Sequence, residues 1–134
     1  FVELKDESIV HCGREVILAS VQEILRPVVD RAVIMSFDYS LALGARQNGW
    51  PLVGLVLRSW DDLYSDEVKA VKPDFIYTDH HIIPPECDLT SIESLANTTL
   101  VAYEVGSREL GYALLARGVD MLETFEIEEL LATI

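Results

Sequence analysis

Residues 32–57 read AVIMSFDYSLALGARQNGWPLVGLVL and contain one complete strand–helix–strand unit. The runs Ala32–Asp38 and Leu52–Leu57 are largely apolar on both faces, as expected for strands of a sheet that is covered on both sides. Between them, Leu41–Gln47 has a short helical pattern that stops at Asn48-Gly49, a pair typical of helix ends. This order of elements predicts two parallel strands joined by a helix.

The same alternation continues on both sides of this unit. Six runs predict strands: Phe1–Lys5, Ala32–Asp38, Leu52–Leu57, Asp74–Thr78, Thr99–Val105 and Val119–Thr124. Helical patterns follow them at Glu15–Val29, Leu41–Gln47, Leu63–Val71, Ser91–Ala96, Arg108–Arg117 and Ile127–Thr133. Six strand–helix units in succession predict an α/β fold in which helices cover a parallel sheet.

The longest helical pattern, Glu15–Val29, has one apolar face. This face consists of Ile17, Val21, Ile24 and Val28. Pro27 falls near the end of the helix. The later pattern Arg108–Arg117 is followed by Gly118, in the position where glycine commonly ends a helix.

Two architectures accommodate this order of elements. An open doubly wound sheet is complete at 134 residues, whereas a (β/α)₈ barrel takes about 200 to 250 residues. The turn after the first strand has neither a G-x-G-x-x-G sequence nor a Walker-type loop, which disfavours a nucleotide-binding open sheet. No linker, low-complexity tract or repeat divides the sequence, so we expect a single domain over residues 1–134.

The chain is strongly acidic. Its formal net charge is −13, with 10 Lys and Arg against 23 Asp and Glu. This balance disfavours nucleic acids, whose phosphates require clustered cationic side chains, and it disfavours anionic membrane surfaces. The acidic residues are scattered, which is typical of a solvated surface. The longest apolar runs have the length of buried strands, so we expect no membrane-spanning segment.

The two cysteines, Cys12 and Cys87, have neither the spacing of a metal site nor the number that a disulfide framework requires. We therefore expect a cytoplasmic protein. Because the sequence begins at Phe1, inside a predicted strand, a secreted or periplasmic protein that has lost a leader stays an open alternative.

The first predicted strand carries two charges on one face. In an alternating strand, Phe1, Glu3 and Lys5 point to one side of the sheet. Burying an acid and a base on that side is costly unless they pair or bind a ligand. The two charges therefore predict the rim of a binding site. The simpler alternative is an irregular terminus with two solvated charges.

Five segments of the chain follow the sequence patterns of one enzyme family. They are Glu3-Leu4-Lys5 for E-[IL]-K, Ser36-Phe37-Asp38 for S-F-[DS], Pro51–Leu57 for P-[LV]-G-L-L, Ala102–Gly106 for [VY]-W-T-V-N and Gly118–Phe125 for G-V-D-x-I-x-T-D. In this order and spacing, the chain resembles the C-terminal part of the glycerophosphodiester phosphodiesterase family. The resemblance covers essentially the whole chain. It implies a TIM-type barrel from its third strand onward, present as about six of eight β/α units.

The resemblance also implies roles for single residues. Glu3 matches a ligand of a hard divalent cation, Mg²⁺ or Ca²⁺, which takes oxygen donors. Lys5 matches the residue that contacts the substrate phosphate, and Tyr103 stands where the family has a pocket Trp. Ser36 and Phe37 are expected to contact the substrate as well. A cation and an ammonium group reduce the repulsion between an anionic phosphodiester and its nucleophile.

Several functional residues of the family have no counterpart here. Its catalytic histidines, in an H-R-G strand and an H-D segment, and two metal ligands, in an E-x-D pair, all precede the E-[IL]-K strand. Gly106 and Phe125 replace an Asn and an Asp of the family. We therefore predict that these 134 residues alone hydrolyse nothing and hold a metal weakly or not at all. The full-length protein would hydrolyse glycerophosphodiesters to glycerol 3-phosphate and an alcohol.

Two other functions stay open. The replacements at Tyr103 and Phe125 favour a non-catalytic binding or assembly domain of the same fold. Asp79-His80-His81 resembles the D-H-H motif of a metal-dependent phosphoesterase class, although the sequence has no D-x-D strand end of that class. An exposed polar loop is the simpler interpretation of this motif.

The expected partners follow from the substrate and from the sheet edges. The substrate is a small phosphodiester. A partial barrel of six strands has two unpaired edges, which favour association with other strands. We therefore expect either self-association or pairing with a separate N-terminal segment.

Overall fold

The computed structural model describes residues 1–132. Its strands are β1 (Val2–Glu3), β2 (Ile34–Ser36), β3 (Val53–Val56), β4 (Phe75–Asp79), β5 (Thr99–Tyr103) and β6 (Met121–Leu122). The α-helices are α1 (Asp6–Cys12), α2 (Arg14–Leu25), α3 (Tyr39–Gln47), α4 (Asp66–Val71), α5 (Arg108–Ala116) and α6 (Ile127–Leu131). Short 3₁₀ turns lie at Arg26–Arg31, Trp60–Tyr64, His80–Ile82, Leu89–Ser91 and Glu93–Leu95. None of the described helices is long and apolar enough to cross a bilayer.

All six strands form one parallel sheet in the order β1-β2-β3-β4-β5-β6. Glu3 is opposite Met35 at one end of the sheet, and Asp79 is opposite Tyr103 further along. A parallel sheet whose strand order follows the chain is typical of a TIM barrel, whereas a doubly wound sheet reverses its order at a switch point. The structure therefore confirms the prediction of an incomplete barrel with six β/α units.

The sheet separates two layers of apolar side chains. The larger layer packs under the helices and includes fully buried side chains from four neighbouring strands: Ile34, Leu55, Ile76 and Leu100. The smaller layer lies on the opposite face and consists of Met35, Val56, Tyr77 and Val101, with Phe37, Phe75 and Tyr103 packed against it. Because successive residues of a strand point to opposite faces, apolar runs supply both layers.

The connection between β1 and β2 differs from the predicted single helix. Helix α1 was not predicted, since only Ile9 among its residues is buried and no apolar period marks it. Gly13, with φ of +83°, separates α1 from α2. Helix α2 then ends at Leu25, because Pro27 has no N–H group with which to continue an α-helix, and the chain goes on as a 3₁₀ turn.

The predicted apolar face of Glu15–Val29 is confirmed in part, because Ile17, Val21 and Val28 pack partly against the core. Leu18 is 5% exposed, whereas Ile24, which was predicted on the apolar face, is 74% exposed. Val21 and Leu25 pack partly against the core together with Leu18. At about 100° per residue, Ile24 lies about 120° around the helix from Leu18, at the edge of this stripe.

Later elements are shorter than predicted. The pattern Leu63–Val71 is divided at Ser65, whose Oγ accepts a hydrogen bond from Val68 N at 3.2 Å and caps α4. Ser91–Ala96 forms no α-helix, because so short a segment gains too few hydrogen bonds to offset helix nucleation. The predicted strand Val119–Thr124 is reduced to β6. Of the predicted helix Ile127–Thr133, α6 covers the part up to Leu131, and Thr133 lies outside the described residues.

A buried hydrogen-bond network holds the junction between β2 and α3. Asp38, which is 8% exposed, accepts from Leu41 N at 2.9 Å and from Arg14 Nε at 2.7 Å. Ser36 Oγ donates to Leu4 O at 2.7 Å and accepts from Asp38 N at 3.0 Å. These bonds connect the ends of β1 and β2 to the two helices that follow them.

We expect Asp38→Ala to lower the free energy of unfolding by about 1–2 kcal/mol, because it removes the acceptor that caps α3. Asp38→Asn is the matched control. It keeps an oxygen for Leu41 N but replaces the oxygen that accepts from the exposed Arg14 with an NH₂ group, so we expect a smaller loss, of about 0.5–1 kcal/mol. Urea unfolding measures both values. An equal loss in the two variants would show that the ion pair, rather than the cap, stabilises this junction.

Candidate functional site

A cavity of about 220 Å³ lies where the parallel strands end. It is lined by Glu3, Lys5, Met35, Phe37, Val56, Tyr77, Tyr103, Glu104 and Glu123. Glu3 and Tyr103 are the last residues of β1 and β5, and Glu123 follows β6 directly. The cavity therefore has an apolar floor from the smaller core layer and a charged rim from the strand ends. Barrel enzymes build their active sites at this end of the sheet.

Most of the residues predicted for the site lie around this cavity. Glu3, Lys5, Phe37 and Tyr103 all line it. Lys5 Nζ donates to Glu3 Oε2 at 3.1 Å, with the Lys5 side chain 65% exposed and the Glu3 side chain 24% exposed. The two charges predicted on one face of the first strand are therefore paired, and they remain accessible from the cavity.

Ser36 does not line the cavity. Its neighbour in the register is Leu55, which belongs to the layer under the helices, and its side chain is fully buried. Because its Oγ is already bonded to Leu4 O and Asp38 N, Ser36 stabilises the junction of β2 and α3 and is turned away from a ligand in the cavity. Phe37, the next residue, points to the opposite face and reaches the cavity.

Solved structures share this arrangement of strands and helices. No known family profile matches the sequence, and no curated protein matches it. Eleven chains of solved structures do match it, among them the following three. One is a Silicibacter pomeroyi protein assigned as a glycerophosphoryl diester phosphodiesterase, with a TM-score of 0.69 and 19% identity over 92% of this chain. The second is a Parabacteroides distasonis glycerophosphodiester phosphodiesterase, with a TM-score of 0.74 and 19% identity over 97%. The third is an Oleispira antarctica phosphodiesterase in complex with the product sn-glycerol-3-phosphate, with a TM-score of 0.74 and 16% identity over 97%.

The chain has the fold of the glycerophosphodiester phosphodiesterases. It spans about half the length of these proteins, with 46%, 54% and 52% of each structure covered. The TM-scores show a common fold, and identities of 16–19% show no more than that. The chemistry of this chain must therefore be inferred from the residues of its own cavity.

Tyr103 lies in a strongly negative part of the cavity rim. Burial raises the pKa of its hydroxyl, and the nearby carboxylates of Asp79 and Glu3, followed by those of Glu123 and Glu104, raise it further. The hydroxyl therefore stays protonated at neutral pH and can donate a hydrogen bond. The same carboxylates would repel an anionic substrate unless cations balance their charge.

The rim offers oxygen donors for a hard cation. Glu3 and Glu123 line the cavity together, and no histidine or cysteine is among its lining residues. Mg²⁺ and Ca²⁺ prefer carboxylate oxygens of this kind. Glu3, which the resemblance implies as a ligand of a divalent cation, is therefore one of two carboxylates on this rim with the donor type that such a cation takes. Lys5 competes with such a cation for the Glu3 carboxylate, because the two side chains are paired.

Tyr77 is a cavity residue that the sequence patterns did not single out. It is 2% exposed, and its hydroxyl has no hydrogen-bond partner among the described residues. Burial raises the pKa of this hydroxyl, with a smaller contribution from Glu123. The ring of Phe1 packs edge-on against the ring of Tyr77, and the two ring centroids lie 5.4 Å apart. The only sequence signal for Tyr77 is its alternate position in the strand Phe75–Thr78, which puts it on the cavity face.

Asp79, His80 and His81 lie beside the cavity without lining it. Asp79 ends β4 opposite Tyr103, and His80 and His81 begin the next 3₁₀ turn. His81 N donates to Asp79 Oδ1 at 2.9 Å, and His81 Nδ1 lies 2.7 Å from the same oxygen. The backbone hydrogen bond lowers the pKa of Asp79, with burial opposing it in part. As expected for a polar loop, the side chain of His81 is exposed.

We expect Tyr77→Phe to leave the free energy of unfolding unchanged or to raise it by up to about 1 kcal/mol, because it removes a buried hydroxyl without a partner. Tyr39→Phe is the control. The Tyr39 hydroxyl donates to Asp62 Oδ2 at 2.7 Å and accepts from Arg58 N at 3.1 Å, so its loss should cost about 1 kcal/mol. Thermal and urea unfolding compare the two variants. A loss at Tyr77 as large as that at Tyr39 would mean that the Tyr77 hydroxyl is bonded in solution.

Proposed function

We propose that the chain forms part of the substrate site of a glycerophosphodiester phosphodiesterase. The complete protein would hydrolyse glycerophosphodiesters to glycerol 3-phosphate and an alcohol. The observation that carries this proposal is the position of Glu3, Lys5 and Tyr103 around one cavity at the carboxyl ends of the strands. The product complex of the Oleispira antarctica phosphodiesterase, which has the same fold, supports a small glycerol phosphate as the ligand.

Lys5 is the residue that we assign to the phosphate. It is the one cationic side chain among the residues that line the cavity in the described part of the chain. Its ammonium group is largely exposed, so it can leave Glu3 and donate to a phosphate oxygen without a large desolvation cost. In a protein with a net charge of −13, this local positive charge is needed to attract an anion.

Glu3 is the residue that we assign to the cation, with Glu123 as a second carboxylate on the same rim. A bound Mg²⁺ or Ca²⁺ would neutralise phosphate oxygens and make the phosphorus a better electrophile. Glu3 is suited to this role because its partly buried side chain lies at the end of β1 and lines the cavity.

The floor of the cavity suits the carbon skeleton of the substrate. Met35, Phe37 and Val56 present apolar surface below the charged rim. Tyr103 stands where the family has a Trp, and its neutral hydroxyl can donate to a substrate oxygen at the rim. Together, these residues orient the glycerol group and exclude water from one side of it, which is the contribution of this chain to the reaction.

Proton transfer is assigned to residues outside these 134. The family's catalytic histidines have no counterpart in the motifs of this chain, and its own rim has no histidine among the cavity-lining residues. We therefore propose that the chain by itself binds the product-like ligand without hydrolysing a diester, and that hydrolysis belongs to the complete protein.

A non-catalytic binding domain is the second candidate function. The family's last strand ends in an Asp, and Phe125 stands at this position, 79% exposed and away from the cavity. An exposed phenyl ring offers no acid–base or metal-binding chemistry. Retained ligand binding without hydrolysis in the complete protein would favour this second function over the first.

We also propose that the sheet edges mediate association. Among the described residues, β1 and β6 each have a single neighbouring strand, and the apolar side chain of Met121 in β6 is 40% exposed. Unpaired backbone groups and apolar surface favour pairing with a second copy or with further strands. Size-exclusion chromatography with light scattering should show a mass that rises with concentration. A monomer over the whole concentration range would contradict this proposal.

We expect Lys5→Ala to weaken the binding of sn-glycerol 3-phosphate by about tenfold or more in the presence of Mg²⁺, because it removes a charge-assisted hydrogen bond to phosphate. Glu3→Gln should abolish the dependence of binding on Mg²⁺. The matched control is Lys69→Ala, which removes an exposed ammonium group on α4, outside this cavity. Isothermal titration calorimetry measures all three. Equal weakening by the Lys5 and Lys69 substitutions would indicate only a general charge effect and contradict the assigned site.

A further inference from the structure

Asp79, His80 and His81 form a compact group of ligand atoms outside the Glu3 rim. One carboxylate oxygen and one ring nitrogen from each histidine all lie within 4.8 Å of one another. In an extended strand, three successive side chains would alternate between the faces of the sheet. Here the chain leaves β4 at Asp79 and enters a 3₁₀ turn at His80, so the three side chains converge on one side.

Local contacts hold this convergent arrangement in place. Asp79 caps the turn by accepting from His81 N at 2.9 Å, and the same oxygen lies 2.7 Å from His81 Nδ1. The rings of His80 and His81 lie against each other, with centroids 3.8 Å apart and planes 33° apart. The group is thus partly organised before a ligand binds, which lowers the entropy that binding must offset.

The donor types distinguish this group from the Glu3 rim. Two imidazoles and one carboxylate are typical ligands of Zn²⁺, whereas Mg²⁺ and Ca²⁺ prefer oxygen donors alone. Three protein ligands leave one position of a tetrahedral zinc ion open, as in catalytic rather than structural sites. The surroundings also favour a cation, since Asp79 lies opposite Tyr103, whose hydroxyl is surrounded by the carboxylates of Glu3, Glu104 and Glu123.

We propose that Asp79, His80 and His81 bind a zinc ion, or a similar borderline divalent cation, at the end of β4. The site is separate from the oxygen-donor rim at Glu3 and does not depend on the phosphodiesterase function. Asp79 lies opposite Tyr103, so the site is beside the cavity. A cation held there would add positive charge next to a cavity whose own lining has Lys5 as its cationic side chain.

Calorimetric titration of the 134-residue chain with ZnCl₂ tests this site. The titration uses a Cys12→Ser, Cys87→Ser background, because both thiols are free and are themselves zinc ligands. We expect one bound ion per chain. His80→Ala and His81→Ala should each weaken zinc binding by more than about tenfold, since even the loss of a group that supports a ligand has an effect of this size. Asp79→Asn should also weaken zinc binding.

Two controls separate this site from general binding. His11→Ala removes an exposed histidine on α1 and should leave zinc affinity unchanged. Glu3→Gln should remove the effect of Mg²⁺ on glycerol 3-phosphate binding and weaken zinc binding far less than the His80 and His81 substitutions do, so the two sites succeed or fail independently. The proposal is overturned if the chain binds zinc with a dissociation constant weaker than micromolar. It is also overturned if the His80 and His81 substitutions reduce zinc affinity no more than His11→Ala does.

A measurement on the unsubstituted residues 79–81 avoids any effect of the substitutions on folding. Co²⁺ in a four-coordinate site with imidazole ligands gives visible d–d absorption, and as a paramagnetic ion it broadens nearby amide signals in NMR spectra. We expect this absorption, together with broadening centred on residues 79–82. Broadening centred on Glu3 and Glu123, or on His11, would place the ion elsewhere and overturn the proposal.

Discussion

The register of the parallel ladder is the constraint on which the rest of the structure depends. Glu3 pairs with Met35, and Asp79 pairs with Tyr103, so these residues share one face of the sheet. A shift of one residue in any strand would exchange its two faces, because side chains alternate along a strand. Glu3 would then lie under the helices, where an unpaired charge is very unfavourable, and Leu4 would face the cavity.

The same alternation explains why one sheet can carry both a core and a site. The residues under the helices are fully buried and apolar, and they stabilise the fold. On the other face, the layer around Met35 and Val56 is smaller and ends in charged residues where the strands stop. Ser36 and Phe37 show how sharp this division is. The first is used entirely in backbone hydrogen bonds, whereas the second lines the cavity.

The balance of charge around the cavity connects the site to its chemistry. Glu3, Glu104 and Glu123 face the cavity, and Lys5 is paired with the first of them. Such a rim is poorly suited to an anion by itself and well suited to an anion that arrives with a divalent cation. The hydroxyls of Tyr77 and Tyr103 remain neutral in this field, since burial and nearby carboxylates raise the pKa of each.

The sequence by itself determined the alternation of strands and helices, the parallel sheet and the grouping of Glu3 with Lys5, because these follow from local periodicity and from residue patterns. Only the tertiary structure decided that Tyr77 is buried without a partner, that Ser36 is turned away from the cavity, and that Ile24 is exposed. It also decided that Asp79, His80 and His81 converge. These features depend on contacts between distant segments and on where a strand gives way to a turn, and neither is encoded in the pattern of a single segment.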